Sequence, residues 1–464
     1  MINLNNIVSV AIYERKTLFR SWFFRIFSLL TLLILFMMNI AMFGNEWTHW
    51  VHRAVPANLP LINVLYVNVA QAVIAVFLAS EFLKRDKKLD TTEVIYARPI
   101  SNGEYVIGKT LGILILFVGL VLLVLLMALV FNLVIKDTPV VWGAYMFYPL
   151  LITIPTLIFI LGLSFFMMIL FRSQALTFIV LLGYIALTLF YFEDRLYGTL
   201  DYMAFNLPMV YSDIIQFSDF RMILLQRGSY LLLGMAFIFA TIRFMGRLPQ
   251  TGTLNFINTA GFALCLAAGL FLSYSYFQTY SLEKKDRYRF LSLNDGYAAM
   301  KTVDVVSNDL SIEHEGSSIC ARSTLRVRNH NSEPLDTLLF SLNPGLIIDS
   351  ITGPADSPAY IVEDQIILIL PEKSLLPFRN RTYDFYYHGV PADHFAYLDV
   401  PAREREAWRK IHLATVDKKA SVCKDEYLLL TPELLWYPVA GVTFNHKNFL
   451  PGEIDRSEER RVGK

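Results

Sequence analysis

The sequence predicts an α-helical polytopic membrane domain of about seven spans, followed by an all-β, sandwich-like extracytoplasmic domain. Of 464 residues, 55% are hydrophobic, and the mean hydropathy is +0.45, which is high for a wholly soluble chain. Long apolar runs with short polar connections occupy residues 22–277. After Tyr280 charged residues become frequent, and apolar residues begin to alternate with polar ones.

Charge and cysteine content exclude several classes of protein. The formal net charge of +1 gives no basic footprint for nucleic acid, so no nucleic-acid partner is predicted. The first apolar run is too long for the core of a cleavable signal peptide, so it is predicted to be a retained span. Three cysteines are too few for a disulfide framework. Cys320 and Cys423 either pair in an oxidising compartment or remain buried thiols.

The membrane domain is predicted over residues 1–280. Residues 1–21 mix basic and apolar side chains, a pattern typical either of an amphipathic helix on a membrane surface or of a solvated N-terminus. Most later runs can cross a hydrocarbon core of about 30 Å at about 1.5 Å per residue, and the run from residue 230 is the shortest. The predicted spans are near 22–43, 59–83, 111–135, 145–171, 175–192, 230–244 and 256–277.

Basic residues in the connections predict the orientation, because positive charges near span ends are retained in the cytoplasm. The connections assigned to the inside, above all residues 84–109, hold more lysine and arginine than those assigned to the outside. The chain is therefore predicted to be integral to the cytoplasmic (inner) membrane, with its N-terminus cytoplasmic and its β domain extracytoplasmic. The outer connection Glu193–Arg227 is predicted either to hold short helices in the membrane interface or to be a simple extracellular loop.

The longest polar interruption of the apolar half contains a predicted cytoplasmic loop, residues 84–110. Gly103–Thr110 matches the phosphate-loop pattern G-x-x-x-x-G-K-[ST]. A true phosphate loop follows a parallel strand of a soluble sheet. Here Lys109 and Thr110 instead open an apolar helix that must enter the membrane. We therefore predict no nucleotide site and no catalysis by this chain.

Local signals predict two short helices in this loop, lying along the inner membrane face. Asp90 or Thr91 can cap the first helix, with Glu93 in its first turn. The chain bends at Arg98–Pro99, because proline keeps the preceding residue out of the α region.

The second helix is predicted to begin at Ser101 or Asn102, either of which can cap it. Glu104 then lies near the positive end of the helix dipole, and Lys109 lies at the membrane surface. Such a bent element is well shaped to dock on a cytoplasmic partner; the alternative is a solvated charged loop.

This stretch resembles the coupling region of type 2 ABC-exporter permeases. The resemblance rests on Asp90-Thr-Thr-Glu93, Tyr96-Ala-Arg98-Pro99-Ile100-Ser101, Glu104-Tyr105 and Gly108-Lys109 before a span, and it covers about residues 1–245. It implies a permease that works as a homodimer or paired permease with a cytoplasmic ABC ATPase subunit, which binds the ATP. A seventh span would then export the appended domain. The implied ATPase-coupling residues are Asp90, Glu93, Arg98, Pro99, Ser101, Glu104 and Lys109.

Two amide side chains within the predicted span 59–83 are candidates for a translocation path. Asn68 and Gln71 are three residues apart and therefore share one face of the helix. Intramembrane amides either bond neighbouring helices or contact a substrate, so interhelical hydrogen bonding is the alternative.

The β domain is predicted over residues 303–445. Arg322–Arg328 and Tyr383–His388 alternate apolar with polar residues, as half-buried strands do. Turn residues separate such runs, which is typical of an antiparallel sandwich. Residues 401–410 are predicted to be helical.

The same region resembles the N-terminal β domain of alanyl-aminopeptidase-like zinc peptidases. The resemblance rests on Phe340-Ser-Leu-Asn-Pro-Gly345, Gln365–Pro371, Tyr383–Gly389 and Leu434-Leu-Trp-Tyr-Pro438. In that family zinc is bound further along the chain by H-E-x-x-H. Here His314-Glu315 has a strand pattern, with Ser318 at the position of the second histidine, and His388 and His394 are predicted surface residues. No metal site is predicted, and zinc is expected only if a catalytic domain follows.

Residues 446–464 form a charged tail, which is either solvated or the end of a truncated reading frame. The leading interpretation of the chain is a transporter permease. The alternative is a membrane-anchored peptidase or peptide-binding protein whose catalytic domain is missing from this chain.

Overall fold

The computed structural model describes residues 3–43, 55–80, 100–134, 138–192, 195–246, 251–353, 358–398, 400, 410–411, 414–415 and 419–442. The chain divides into two compact units. The first comprises Met1–Tyr280 and Lys410–Asp417, and the second comprises Ser281–Arg409 and Lys418–Lys464.

The first unit is a helical bundle, as predicted. Among the described residues, six helices are long and apolar enough to cross a membrane, and Gln174–Phe190 is a shorter apolar helix of 17 residues. The helices are α1 (Leu4–Arg20), α2 (Trp22–Phe43), α3 (Asn58–Ser80), α4 (Asn102–Val134), α5 (Trp142–Phe171, with a π-helical turn at Pro149–Thr153), α6 (Gln174–Phe190), α7 (Phe220–Phe244) and α8 (Gly252–Tyr297).

Three helices begin or end well outside their predicted apolar runs. α4 begins at Asn102 rather than near residue 111, because polar residues cap and continue it. α7 begins at Phe220 rather than near residue 230, where Asp219 Oδ1 accepts a hydrogen bond from the Met222 N–H at 3.1 Å. α8 continues to Tyr297. In each case polar side chains within the helix interrupt the apolar run on which the prediction rested.

α5 and α7 pack at close range because glycines meet at their contact. A Cβ at Gly234 would lie 2.6 Å from the Cα of Phe159, and one at Gly162 would lie 2.4 Å from the Gly234 carbonyl oxygen. Small residues allow helix backbones in a membrane protein to approach in this way.

The described part of the connection before α7 contains no α-helix, so the interfacial helices, one of the two alternatives, are not found there. This part has a single 3₁₀ turn at Leu196–Gly198 and a hairpin formed by β1 (Tyr211–Ser212) and β2 (Gln216–Phe217). Tyr202, Met203 and Ala204 are fully buried. This segment is irregular because side chains of the neighbouring helices, described below, satisfy its backbone.

The second unit contains two four-stranded antiparallel sheets, as the sandwich prediction requires. Residues 318–328 and 380–389 form two central strands that pair along their length, and Leu325, Val327, Tyr383, Phe385 and Tyr387 contribute to the core from alternate positions. The first sheet has the order β3-β4-β9-β6, with β3 (Asp304–Glu315), β4 (Ser318–Arg328), β6 (Leu346–Thr352) and β9 (Asn380–Gly389). The second has the order β14-β5-β8-β7, with β5 (Leu338–Ser341), β7 (Ala359–Glu363), β8 (Ile366–Leu370) and β14 (Val439–Ala440).

Two further short hairpins complete the described strands. β10 (Lys410–Ile411) pairs with β11 (Ala414–Thr415), and β12 (Ser421–Lys424) pairs with β13 (Tyr427–Leu430). The helix predicted at residues 401–410 lies almost wholly outside the described residues, as does the tail from residue 446.

Residues 281–297 of α8 belong to the second unit and are bonded to its β domain. The Arg287 guanidinium donates hydrogen bonds to the carbonyl oxygens of His394, Ala396 and Tyr397. Gln365 Nε2 donates to the Phe290 carbonyl oxygen at 2.8 Å. A single buried arginine thus fixes one side of the helix to an irregular segment of the sandwich.

The histidines and cysteines of the second unit correct two expectations. Cys320 and Cys423 are unbridged thiols, and both are partly exposed rather than buried. His388 is on the surface, with Nδ1 2.9 Å from Asp349 Oδ1, but His394 is only 25% exposed and stacks on Phe290. His314 lies on β3, in agreement with the predicted strand.

Replacing His394 with asparagine is expected to reduce the loss of thermal stability that the chain undergoes at acidic pH. Burial lowers the pKa of His394 below its ordinary value, although Asp286 acts in the opposite direction. The unfolded chain therefore binds the proton more tightly, so the native state loses stability as the pH falls below about 6.5. Thermal unfolding of the purified chain at about pH 7.5 and about pH 5.5 measures this loss.

The matched control is His314→Asn, because that side chain is exposed on a strand. An unchanged pH dependence in the His394 variant, relative to the native chain, would contradict the assignment.

Candidate coupling surface and buried polar cluster

The start of α4 is a capping box formed by Ser101 and Glu104. The Ser101 N–H donates to Glu104 Oε2 at 2.9 Å, and the Glu104 N–H donates to Ser101 Oγ at 3.2 Å. This reciprocal pair satisfies two donors at the helix start, which would otherwise have no intrahelical partner. The prediction that Ser101 caps this helix is confirmed. Gly103–Thr110 is therefore helical rather than a phosphate loop.

Glu104 and Asn102 bond the start of α4 to two other helices. Glu104 accepts hydrogen bonds from the Asn3 N–H at 2.6 Å and from Asn6 Nδ2 at 3.2 Å, at the start of α1. Asn102 Nδ2 donates to the Met245 carbonyl oxygen at 3.0 Å, just after the end of α7. We refer to Ser101, Asn102 and Glu104 as the α4 anchor.

α1 packs along the first turns of α4, where two glycines remove side-chain bulk. A Cβ at Gly108 would lie 2.7 Å from Val10 Cβ, and one at Gly112 would lie 2.8 Å from the Ala11 carbonyl oxygen. The open alternatives for residues 1–21 are thus resolved in favour of an amphipathic helix, with Ile7, Ala11, Glu14 and Leu18 on its buried face.

Lys109 is buried in this contact, so its side chain faces α1 rather than solvent; its predicted level at the membrane surface stays a prediction. Its Nζ lies 3.7 Å from Glu14 Oε2, and both side chains are 3% exposed. Nζ also lies 4.9 Å from the centre of the Tyr105 ring. A glutamate on α1 could not be assigned to Lys109 from sequence, because their approach depends on Gly108 and Gly112.

The predicted coupling residues therefore divide into two groups. Glu104 and Lys109 bond α4 to α1 inside the bundle, and Ser101 caps α4 through Glu104. Asp90, Glu93, Arg98 and Pro99 lie outside the described residues.

Removing one member of the Glu14–Lys109 pair is expected to destabilise the chain more than removing both. A buried charge left without its partner typically costs about 3–5 kcal/mol, whereas an apolar replacement of the whole pair can be nearly neutral. We expect Glu14→Leu and Lys109→Met each to lower the thermal stability of the purified chain, and the double variant to recover most of the loss. A double variant whose loss equals the sum of the two single losses would show that the pair is not coupled.

A cluster of buried polar side chains lies deeper in the bundle and includes both candidate path residues. Asn68 Nδ2 donates to Thr156 Oγ1 at 3.1 Å and to the Met203 carbonyl oxygen at 2.8 Å. Gln71 Nε2 donates to Asn68 Oδ1 at 2.7 Å. The Asn68–Thr156 bond joins two helices, as the alternative of the sequence analysis expects, whereas the Gln71–Asn68 bond lies within α3. A role in translocation for Asn68 and Gln71 stays a prediction.

Arg227 is the centre of this cluster, although the sequence analysis placed it in the outer connection. It is 1% exposed within α7. Its Nε donates to the Leu151 carbonyl oxygen at 2.8 Å and its Nη2 to the Ile152 carbonyl oxygen at 3.2 Å, beside the π-helical turn of α5. Pro155 has no N–H, so the Leu151 carbonyl four residues earlier lacks its helical donor. Arg227 supplies that donor.

Arg227 also holds the irregular segment that follows α6. Its Nη1 donates to the Tyr202 carbonyl oxygen at 2.9 Å, and its Nη2 donates to Thr156 Oγ1 at 2.8 Å. Asp201, a buried countercharge, accepts from the Met203 and Asn206 N–H groups at 3.2 and 2.7 Å. The cluster thus satisfies buried backbone groups of the α5 turn and of the irregular segment. Its one sequence signal is Pro155, which predicts a carbonyl in need of a donor.

Replacing Arg227 with methionine is expected to destabilise the bundle by about 3–5 kcal/mol, because it leaves the buried carbonyls of Leu151, Ile152 and Tyr202 without a donor and removes the positive charge near Asp201. Arg227→Lys is expected to recover only part of this loss, since lysine keeps the charge but lacks the forked donors. Thermal stability in detergent measures both variants. Arg221→Met, at an exposed position of the same helix, is the control. Equal stability of the Arg227 and Arg221 methionine variants would refute the assignment.

Comparison with known proteins identifies the class of the helical unit. The sequence profile of the ABC-2 family transporter proteins matches residues 8–286, which is more than half of the chain. The chain belongs to the ABC-2 family of transporter proteins, and it is an integral membrane protein with a permease domain. No curated protein matches the chain.

Solved structures of M1 zinc metallopeptidases are similar to a small part of the chain. The enzyme from Deinococcus radiodurans is 19% identical over 20% of this chain and 22% of that chain, with a TM-score of 0.18. A mutant of it bound to a Tyr-Ser-Ala substrate is 19% identical over 20% and 21%, with a TM-score of 0.18. This chain thus spans about a fifth of the length of these structures. The joining of a permease to a peptidase domain stays a prediction.

Proposed function

We propose that the chain is the permease subunit of a transporter in which a cytoplasmic ABC ATPase subunit hydrolyses ATP and the permease moves a substrate across the membrane. Membership of the ABC-2 family supports the transporter class. The observation that carries the coupling proposal is the α4 anchor, which bonds the start of α4 to α1 and to the end of α7.

The anchor lies directly after the predicted coupling residues in the sequence. A displacement of residues 90–99 by the ATPase would therefore act on Ile100 and then on the anchor. Because Asn102 and Glu104 are buried and bonded to other helices, α1, α4 and the end of α7 would move together rather than separately. α4 then carries the displacement through a helix of 33 residues.

This mechanism gives the predicted residues two roles. Asp90, Glu93, Arg98 and Pro99 would contact the ATPase subunit. Ser101, Glu104 and Lys109 would transmit its movement from inside the bundle. ATP would be bound by the partner alone, and two permease copies would form one transporter in the cytoplasmic membrane, with their N-termini cytoplasmic.

Reversing the charges of the proposed contact is expected to uncouple the two subunits without unfolding the permease. We expect Glu93→Lys with Arg98→Glu to reduce stimulation of the ATPase rate in liposomes at least about tenfold, which corresponds to about 1.4 kcal/mol of coupling. The matched control reverses the exposed Lys301–Glu333 ion pair of the second unit, as Lys301→Glu with Glu333→Lys.

Copurification of the ATPase subunit with each permease variant distinguishes loss of the contact between the subunits from loss of coupling across an intact contact. If residues 90–98 are replaced by a Gly/Ser linker and the ATPase still copurifies and is still stimulated, the loop is not the coupling element. If the charge-reversed permease stimulates the ATPase as well as the native chain does, the proposed roles of Glu93 and Arg98 are wrong.

For the second unit we propose the N-terminal β domain of an aminopeptidase-like zinc peptidase. The pair of antiparallel sheets supports this assignment. The reading frame beyond Lys464 tests it. An H-E-x-x-H motif followed by a further glutamate would make the complete protein a permease joined to a zinc peptidase, whereas a stop codon would make the β unit a binding or assembly module.

A further inference from the structure

A groove of about 510 Å³ lies between α1, α2 and α4. Its volume falls within the range of about 300–1,000 Å³ that is usual for ligand sites. One end is basic, with Arg15 and Lys16 of α1 beside Phe19. The remainder of the groove is apolar apart from Ser28 and is formed by α2 and α4. Its apolar lining residues are Phe24 and Leu32 on α2, and Leu116, Gly119, Leu120 and Leu123 on α4.

The basic end lies where α4 changes from polar to apolar. Asn102–Thr110 holds several polar and charged residues, whereas residues 111–131 hold none. α1 packs on either side of this change, through Gly108 and Gly112, and α2 packs further along the apolar turns, where Phe24 contacts Phe117. Trp22 and Arg25 follow the end of α1, as aromatic and basic residues do at a membrane boundary. Arg15 and Lys16 are therefore at the level of lipid headgroups.

The two basic side chains carry charge that the described part of the protein leaves unpaired. Both are exposed, and no described carboxylate forms an ion pair with Arg15 or Lys16. Glu14, the one acidic residue of α1, is buried and faces Lys109 of α4. The groove therefore offers a doubly positive end to an anion.

The apolar part of the groove runs along the helices into the membrane. Residues 115–123 of α4 span about 12 Å at about 1.5 Å per residue. Phe24, Leu116 and Leu120 form a buried wall. Gly119 keeps part of this space open, because a Cβ there would meet no atom within 4 Å.

We propose that this groove binds an anionic phospholipid. The phosphate contacts Arg15 and Lys16, and one acyl chain lies along α2 and α4 over Gly119. A basic head joined to an apolar channel matches the two parts of such a lipid, whereas a free phosphate would leave the channel empty. This site is separate from the α4 anchor, so it holds whether or not the coupling proposal does.

A second groove provides an internal comparison. It has about 550 Å³ and lies between α2, α3 and α6, lined by Ile34, Tyr66, Ala70 and Phe190 among others, with no charged side chain. It can accept an acyl chain but has no group that distinguishes one headgroup from another.

Native mass spectrometry of the purified full chain tests the proposal. The probes are phosphatidylglycerol and phosphatidylcholine with identical oleoyl chains, and inorganic phosphate is added as competitor. We expect phosphatidylglycerol to be retained preferentially, and the preference to fall about fivefold for each of Arg15→Gln and Lys16→Gln. Gly119→Leu, which adds a side chain in open space, is expected to displace the same lipid while both charges remain.

Two variants serve as matched controls: Arg20→Gln removes a basic residue of α1 outside the groove, and Ala70→Leu fills the second groove. Both should keep the preference. The proposal is overturned if the two lipids are retained equally, if Arg20→Gln acts as strongly as Arg15→Gln, if Gly119→Leu has no effect, or if inorganic phosphate displaces the lipid. The last result would indicate a simple anion site.

Discussion

The guanidinium of Arg227 holds together the parts of the bundle that the helices themselves leave unsatisfied. Inside a membrane protein each backbone carbonyl needs a donor, and neither lipid nor water supplies one there. Pro155 removes one such donor, and the irregular segment around Tyr202 needs others. Arg227 meets these needs from one rigid, forked side chain, with Asp201 as its countercharge. The break in α5, the buried segment and the start of α7 therefore depend on the same residue.

At the start of α4, hydrogen bonds from side chains likewise satisfy backbone groups that have no partner within their own helix. Glu104 completes a cap and at the same time accepts from the backbone and side chain of α1. Lys109 is neutralised by Glu14 only because glycines let the two helices approach. A displacement of the preceding loop would meet a connected body of three helices. The basic groove at the other end of α1 would place an anionic lipid against the same body, so both the partner and the membrane could act on α1.

The sequence alone predicts those features that depend on residues close together in the chain. Ser101 and Glu104 are three residues apart, so their cap was predictable, and so was the strand containing Tyr383, Phe385 and Tyr387. The buried cluster was not predictable in this way. A charged residue interrupts an apolar run, so the sequence alone places Arg227 in the connection before α7 rather than in the helix. Its partners, Leu151 and Tyr202, are far from it in sequence, and their need for a donor arises only when α5 and α7 pack together.

The polar contacts also have an order in time, because a chain is synthesised from its N-terminus. Asn63 exchanges amide hydrogen bonds with Asn39, Lys109 pairs with Glu14, and Arg227 bonds Leu151, Thr156 and Tyr202. In each case the residue that emerges later finds a partner already made. The helices most costly to place in a bilayer on their own thus reach the membrane when their polar groups can be satisfied at once, and assembly can follow synthesis helix by helix.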